Sequence, residues 1–128
     1  MIYTSYFARL KHLPKHIIPI SICGKAPSWY NGLQYKKLAP RYEFFIKWKE
    51  SQDNAYYTDC FKQQVLCRLD WHTVYEELYT LAATVAKDIA HYEICLICYE
   101  RPTDFCHRHL VADWFNKHNI LCEEYSNE

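Results

Sequence analysis

Apolar positions along the chain fall into short blocks with two different spacings, and those spacings predict the elements. Ile2 to Ala8 alternates apolar or aromatic with small polar residues and reads as a first strand. Arg9 to His16 is basic and ends in a proline-containing turn. Ile17 to Cys23 is a β-branched, apolar run, expected to form a buried strand that Gly24 stops. Tyr42 to Trp48 fits a short strand and a short helix equally. From Asn54 the period turns helical, because Tyr57, Phe61, Val65 and Leu69 recur at every fourth position. Asp70 is placed to cap a second helix carrying Val74, Leu78, Leu81 and Val85 on one stripe. Tyr92 to Cys98 is nearly all apolar, as in a central strand buried on both faces. Thr103 or Asp104 is expected to cap a third helix, with Leu110, Val111, Trp114 and Phe115 inward. Ile120 to Tyr125 closes as a last strand.

Strand, helix and strand at the C-terminal end predict a right-handed βαβ unit. The expected architecture is one α/β domain over residues 1–128: three layers, with a mostly parallel sheet flanked by helices. Ligands of such folds sit beyond the carboxyl ends of the strands. Two predicted strand ends, Ser21 to Gly24 and Cys98 to Glu100, therefore mark the expected cleft. Between them in sequence, Lys25 to Pro40 is expected to be a long loop, and loops of that length are frequently functional.

Composition narrows the function. A chain of 128 residues fits one domain. Aromatic content of 17%, with 12 Tyr, suits thick packing or an aromatic-lined ligand surface. With 2 Gly in the chain, neither a Walker loop nor a dinucleotide fingerprint is present, and no cofactor is expected. Fifteen basic residues against fifteen acidic ones argue against nucleic acid as the partner. A local patch stays open, since Lys36, Lys37 and Arg41 lie near Trp29, Tyr30 and Tyr35. No apolar run approaches the ~20 residues of a membrane span. The opening Met1-Ile2-Tyr3-Thr4 lacks the composition of a secretory leader. Seven dispersed cysteines then imply a reduced, cytoplasmic protein with free thiols.

Cys98 to His109 is the segment richest in chemistry. It runs from a buried strand into an amphipathic helix through Glu100, Cys106, His107 and Arg108. A helix N-terminus favours an anion and lowers a thiol pKa. Cys106, His107 and Arg108 are taken as consecutive first-turn residues, about 100° apart, so the three side chains are not expected to meet at one atom. Cys106 is expected at the floor of a cleft with His107 and Arg108 at its mouth. The bland alternative is a packed thiol, a structural histidine and an ion-paired arginine. Glu100 has the position of a residue that binds ribose hydroxyls or moves protons, or that forms a salt bridge to Arg101 or Arg108.

Two further readings are set aside. Cys95 and Cys98 are spaced like zinc ligands, but strand side chains three apart point to opposite faces, so no metal is expected. Cys98 stands where a phosphatase or rhodanese places its nucleophile. An anion cradle there would need converging N–H groups, whereas Glu100 adds negative charge and Pro102 removes a donor.

Ile20-Ser21-Ile22, Pro27-Ser28-Trp29-Tyr30, Tyr35-Lys36-Lys37-Leu38-Ala39-Pro40, Leu96-Ile97-Cys98-Tyr99-Glu100 and the run from Phe105 to Trp114 together resemble the bacterial and phage family called domain of unknown function 488. The resemblance spans nearly the whole chain. It implies a compact α/β fold with Ser21, Pro27, Trp29, Lys37, Pro40, Cys98, Glu100, Cys106, His107 and Arg108 gathered at one site. It supplies no reaction.

The leading expectation is a cleft that binds, and in one version sequesters, a small anionic, nucleotide-derived ligand. Trp29, Tyr30 or Tyr99 would stack on its ring; Arg108, Lys37 and the helix N-terminus would hold phosphate, with Ser21, Pro27 and Cys98 lining the site and Glu100 reading hydroxyls. The alternative is a cysteine-dependent enzyme on a nucleotide-like substrate, with Cys106 as nucleophile, His107 activating it and Glu100 moving protons. A nucleic-acid module using Lys25 to Arg41 is the third reading. Turnover, ligand identity and oligomeric state are left open.

Overall fold

Two faces of one parallel sheet receive very different cover, and that asymmetry positions the site. The computed structural model describes residues 1–126; the last two positions of the expected domain, 127 and 128, lie outside them. Five strands, β1 (Ile2–Tyr6), β2 (Ile17–Ser21), β3 (Leu33–Gln34), β4 (Glu93–Cys98) and β5 (Cys122–Glu124), lie in the order β3-β2-β4-β1-β5. Every pairing among them is parallel. β4 is central, with Ile94 opposite Ile2 of β1 and Ile18 of β2. Burial on both faces explains its continuous apolar run, and Ile94 to Cys98 are all buried.

Four α-helices follow the stripes read from sequence. α1 (Tyr42–Ser51) settles the ambiguous segment as a helix, ending at Gln52 in the left-handed region (φ 56°). α2 (Asn54–Gln64) is capped by Asp53, whose carboxylate accepts from the Tyr56 N–H at 3.1 Å. α3 (Trp71–Ala83) is capped by Asp70 in the same way, from Thr73 at 3.0 Å. α4 (His107–Lys117) begins three residues later than a cap at Thr103 would allow and two later than one at Asp104, because residues 101–104 form a turn closed by the Asp104 N–H on the Arg101 carbonyl. The expected loop over residues 25–40 is partly ordered, holding β3 and a 3-10 turn at Lys36–Leu38.

Alternation along the strands sends Ile2, Ile18, Ile20, Ile94 and Leu96 to one face, where they join apolar residues of all four α-helices. Each such side chain contributes about 1.5–3 kcal/mol by leaving water. Ile17, Cys95 and Ile97 face the other way, onto Phe7 and Leu10 of a 3-10 turn (Phe7–His12) and onto the loop residues Ala26 and Tyr30. β1 thus continues on this second face, whereas its neighbour β4 continues through α4 on the first. Adjacent strands whose connections part to opposite faces leave a crevice at their carboxyl ends. Cys98, Tyr99 and Glu100 lie at that point, beside Phe7. No helix among the described residues is long and apolar enough to cross a membrane.

Candidate active site

Cys106 is the N-cap of α4 and not a first-turn residue. Its backbone is extended (φ −156°, ψ 141°), and its side chain makes no hydrogen bond to the helix. The 100° rule therefore does not separate Cys106 from His107, and the two side chains converge. Cys98 reaches them from the end of β4: its Sγ lies 3.5 Å from His107 Nδ1. The donor atoms of Cys98, Cys106 and His107 all fall within 4.8 Å of one another, and all three residues are buried. Cys95 packs in the same apolar cluster as Ile97, Cys98 and Cys106 but is not one of the three converging donors.

His107 is oriented by the backbone of a distant strand. Its Nε2 lies 2.8 Å from the Ile22 carbonyl oxygen, which can only accept, so Nε2 carries the proton and Nδ1 faces the two thiols. Ile22 is itself fixed by its N–H bond to the Ile97 carbonyl at 3.0 Å. Phe61 of α2 packs on the imidazole, with ring centroids 5.4 Å apart. Glu100 turns its carboxyl to the same group, with Oε2 3.7 Å from Cys98 Sγ.

This environment separates the thiols. The Cys98 hydrogen bond and contact with His107 hold the Cys106 thiol well below its ordinary range, against the opposing effect of burial. Cys98 is raised by that same hydrogen bond and by burial. Burial also raises Cys23 and Cys95, and pushes Cys122 up to about 12. Glu100 is raised by burial and by the charge on Cys106. Of the two neighbouring thiols Cys106 is therefore the one favoured as thiolate, with the Cys98 thiol and the Glu100 carboxyl, both shifted upward, beside it.

Arg108 is not at the mouth of a cleft. It is 0% exposed. Its Nε and Nη2 pair with the Glu124 carboxylate of β5 at 3.1 Å each, and Nη1 donates to the Glu100 backbone carbonyl at 2.6 Å. Thr4 Oγ1 donates to Glu124 at 2.7 Å, and the Tyr6 ring lies 5.7 Å from the guanidinium. With these contacts made, Arg108 fastens the loop between β4 and α4, and the acid it pairs with is Glu124, not Glu100. Lys37 is also elsewhere, with its ammonium 3.0 Å from Glu77 of α3. Lys36 reaches toward the strand ends instead, donating to the Gly24 carbonyl.

The aromatic residues do gather. Phe7 lies 5.9 Å from Trp29, 5.3 Å from Tyr30 and 5.0 Å from Tyr99 between ring centroids. Trp29 is 62% exposed and Tyr99 48%, with the Tyr99 hydroxyl donating to the Lys25 carbonyl at 2.6 Å. Ser21, at the end of β2, is buried against Cys23, Oγ to Sγ 3.1 Å. Pro27 accepts the Tyr30 N–H at 3.0 Å, while Pro40 stands just before α1. Two open clefts, of about 480 and 420 Å³, lie elsewhere: one at the amino ends of the strands around His16 and Glu93, the other around Leu10, Pro14 and Val85.

Ile22, Phe7 and Glu124 carry parts of this arrangement that the sequence reading did not single out. Ile22 acts through its carbonyl, which no side-chain pattern reveals. Glu124 did carry a signal, as an acid within a predicted closing strand.

Fold and site define a parallel α/β domain with a buried dithiol–imidazole group at a topological switch point. The chain belongs to the DUF488 family: the profile of its subclade N3a, described as the active DUF488-N3 subclade, matches residues 5–119. No curated protein and no solved structure matches the chain.

Proposed function

We propose that this protein is a cysteine-dependent enzyme acting on a small, nucleotide-like substrate, with Cys106 as its nucleophile. The observation that carries this is the convergence of Cys98, Cys106 and His107 at the start of α4, with the Glu100 carboxyl alongside. Cys106 Sγ would form a bond to an electrophilic carbon or phosphorus. The leaving group would depart with the bonding electrons and take a proton delivered from water through the Glu100 carboxyl. His107, held by Ile22, orients the thiolate, and Cys98 stabilises it by hydrogen bonding. The exposed rings of Trp29 and Tyr99 supply a stacking surface for a flat group. Substrate would approach past the short run from Arg101 to Asp104, which is exposed. The description of the subclade as active accords with a working site.

The test is alkylation by iodoacetamide in the presence of a chelator, read peptide by peptide. Cys106 should react ahead of Cys67, although Cys67 is exposed and Cys106 is only 3% exposed. Rapid labelling of Cys67 with Cys106 untouched would overturn the proposal.

Binding without turnover of a small anionic, nucleotide-derived ligand is the second reading, favoured by the ring cluster around Phe7. Native mass spectrometry separates the two. Cargo retained equally by the parent and by Cys106→Ser would support binding alone. Cargo accumulating only on Cys106→Ser would support turnover.

A further inference from the structure

We infer that Cys98, Cys106 and His107 form a binding site for a thiophilic divalent metal of the zinc class, and that its occupancy blocks the Cys106 thiol. The site shares its atoms with the proposed enzyme but does not depend on that reading.

Three features point to a metal. The donors are two sulfurs and one imidazole nitrogen, a set suited to zinc. The 3.5 Å between Cys98 Sγ and His107 Nδ1 matches the edge expected when Zn–S bonds of ~2.3 Å and Zn–N bonds of ~2.0–2.1 Å meet at a tetrahedral angle. The His107 ring is already turned for the task. Its Nε2–H is engaged by the Ile22 carbonyl at 2.8 Å, and metal-bound histidines characteristically give their second nitrogen to such an acceptor.

The ligands come from separate elements, Cys98 from β4 and the other two from the start of α4, with Ile22 beyond β2 as support. A metal held there would tie the β4–α4 loop to the central sheet. Binding takes both sulfurs as thiolates and so displaces the proton that Cys98 holds. Three protein ligands leave a fourth position for a small exogenous ligand, and Glu100 Oε2 lies nearby, 3.7 Å from the Cys98 sulfur. With one of its sulfur lone pairs donated to the metal and its charge drawn toward the cation, Cys106 becomes a weaker nucleophile. Strand alternation excluded a different pair, Cys95 with Cys98, and says nothing against this one.

The test uses the full chain, stripped with chelator and titrated first with cobalt(II), then zinc(II). One equivalent of cobalt should give a sulfur-to-cobalt charge-transfer band and the intense visible bands of a tetrahedral ion, and zinc should erase both. Cys98→Ser and Cys106→Ser, both near-isosteric, should each weaken cobalt binding by more than about 100-fold, beyond the ~10–100-fold typical of losing a supporting group. Cys67→Ser should change nothing. Zinc should also slow alkylation at Cys106, and chelator should restore it. Absence of the charge-transfer band, or its persistence in both variants, would overturn the metal site. A chain inert to iodoacetamide at Cys106 after stripping, yet binding cobalt through these donors, would instead overturn the enzyme and keep the metal.

Discussion

α3 and α4 begin in opposite ways. α3 starts on the surface: Asp70 caps it with a side-chain bond to Thr73, and His72 and Thr73 are exposed. α4 starts in the interior: Cys106, His107 and Arg108 are all buried, and the cap residue gives the helix no side-chain bond. A cysteine is a poor N-cap where serine or aspartate is favoured. The thiol at this position serves its neighbours instead of its helix. The first start stabilises; the second gives up local stability to place reactive groups, a trade common at functional sites.

The sharpest break in this comparison is Arg108→Ala. It would strand the Glu124 carboxylate and free the Glu100 carbonyl. Loss of one partner of a buried pair should cost about 3–5 kcal/mol in urea unfolding. A cost under about 1 kcal/mol would mean that Arg108 does not hold the start of α4 and is free for another role.

Cys106→Ser tests the other side. Serine caps better than cysteine, so unfolding free energy should change by no more than about 1 kcal/mol while all thiol chemistry at the position disappears. A much larger destabilisation would show that Cys106 is there to pack.

The smallest effect belongs to Asp70. Its carboxyl is held below the usual range by the Thr73 N–H and hydroxyl. A depressed carboxylate stabilises above its unfolded pKa, about 3.9, and that contribution is lost as pH falls through the lower folded value. Asp70→Ala should therefore lower the melting temperature slightly near neutral pH and leave it unchanged in strong acid. An equal loss at both pH values would assign the effect to helix propensity alone.

Much of the fold was legible. β-Branched and apolar runs marked β2 and β4, the four-residue recurrence marked α2, and Asp70 announced α3, because these signals are local. β3 was not legible: it is two residues long and exists only by pairing with Ile20 and Ser21. The start of α4 was misplaced because Thr103 and Asp104 have cap chemistry, yet the turn closing on Arg101 claims them. Among site residues, Cys98, Glu100, Cys106 and His107 come together, although helical spacing had set the Cys106 and His107 side chains apart, because Cys106 is an extended N-cap and not a first-turn residue. Arg108 and Lys37 did not, since acids far away in sequence, Glu124 and Glu77, engage their charges.

The sequence by itself determined the parallel α/β class, the central buried strand, and the concentration of chemistry between Cys98 and His109. Each follows from period, cap or composition within a window of some twenty residues. Only the tertiary structure decided which of those groups face one another. The Ile22 carbonyl selects the tautomer of His107, an extended N-cap turns Cys106 inward, and Glu124 neutralises Arg108. All three are contacts or torsions set by the packing of distant segments, and no local pattern encodes them.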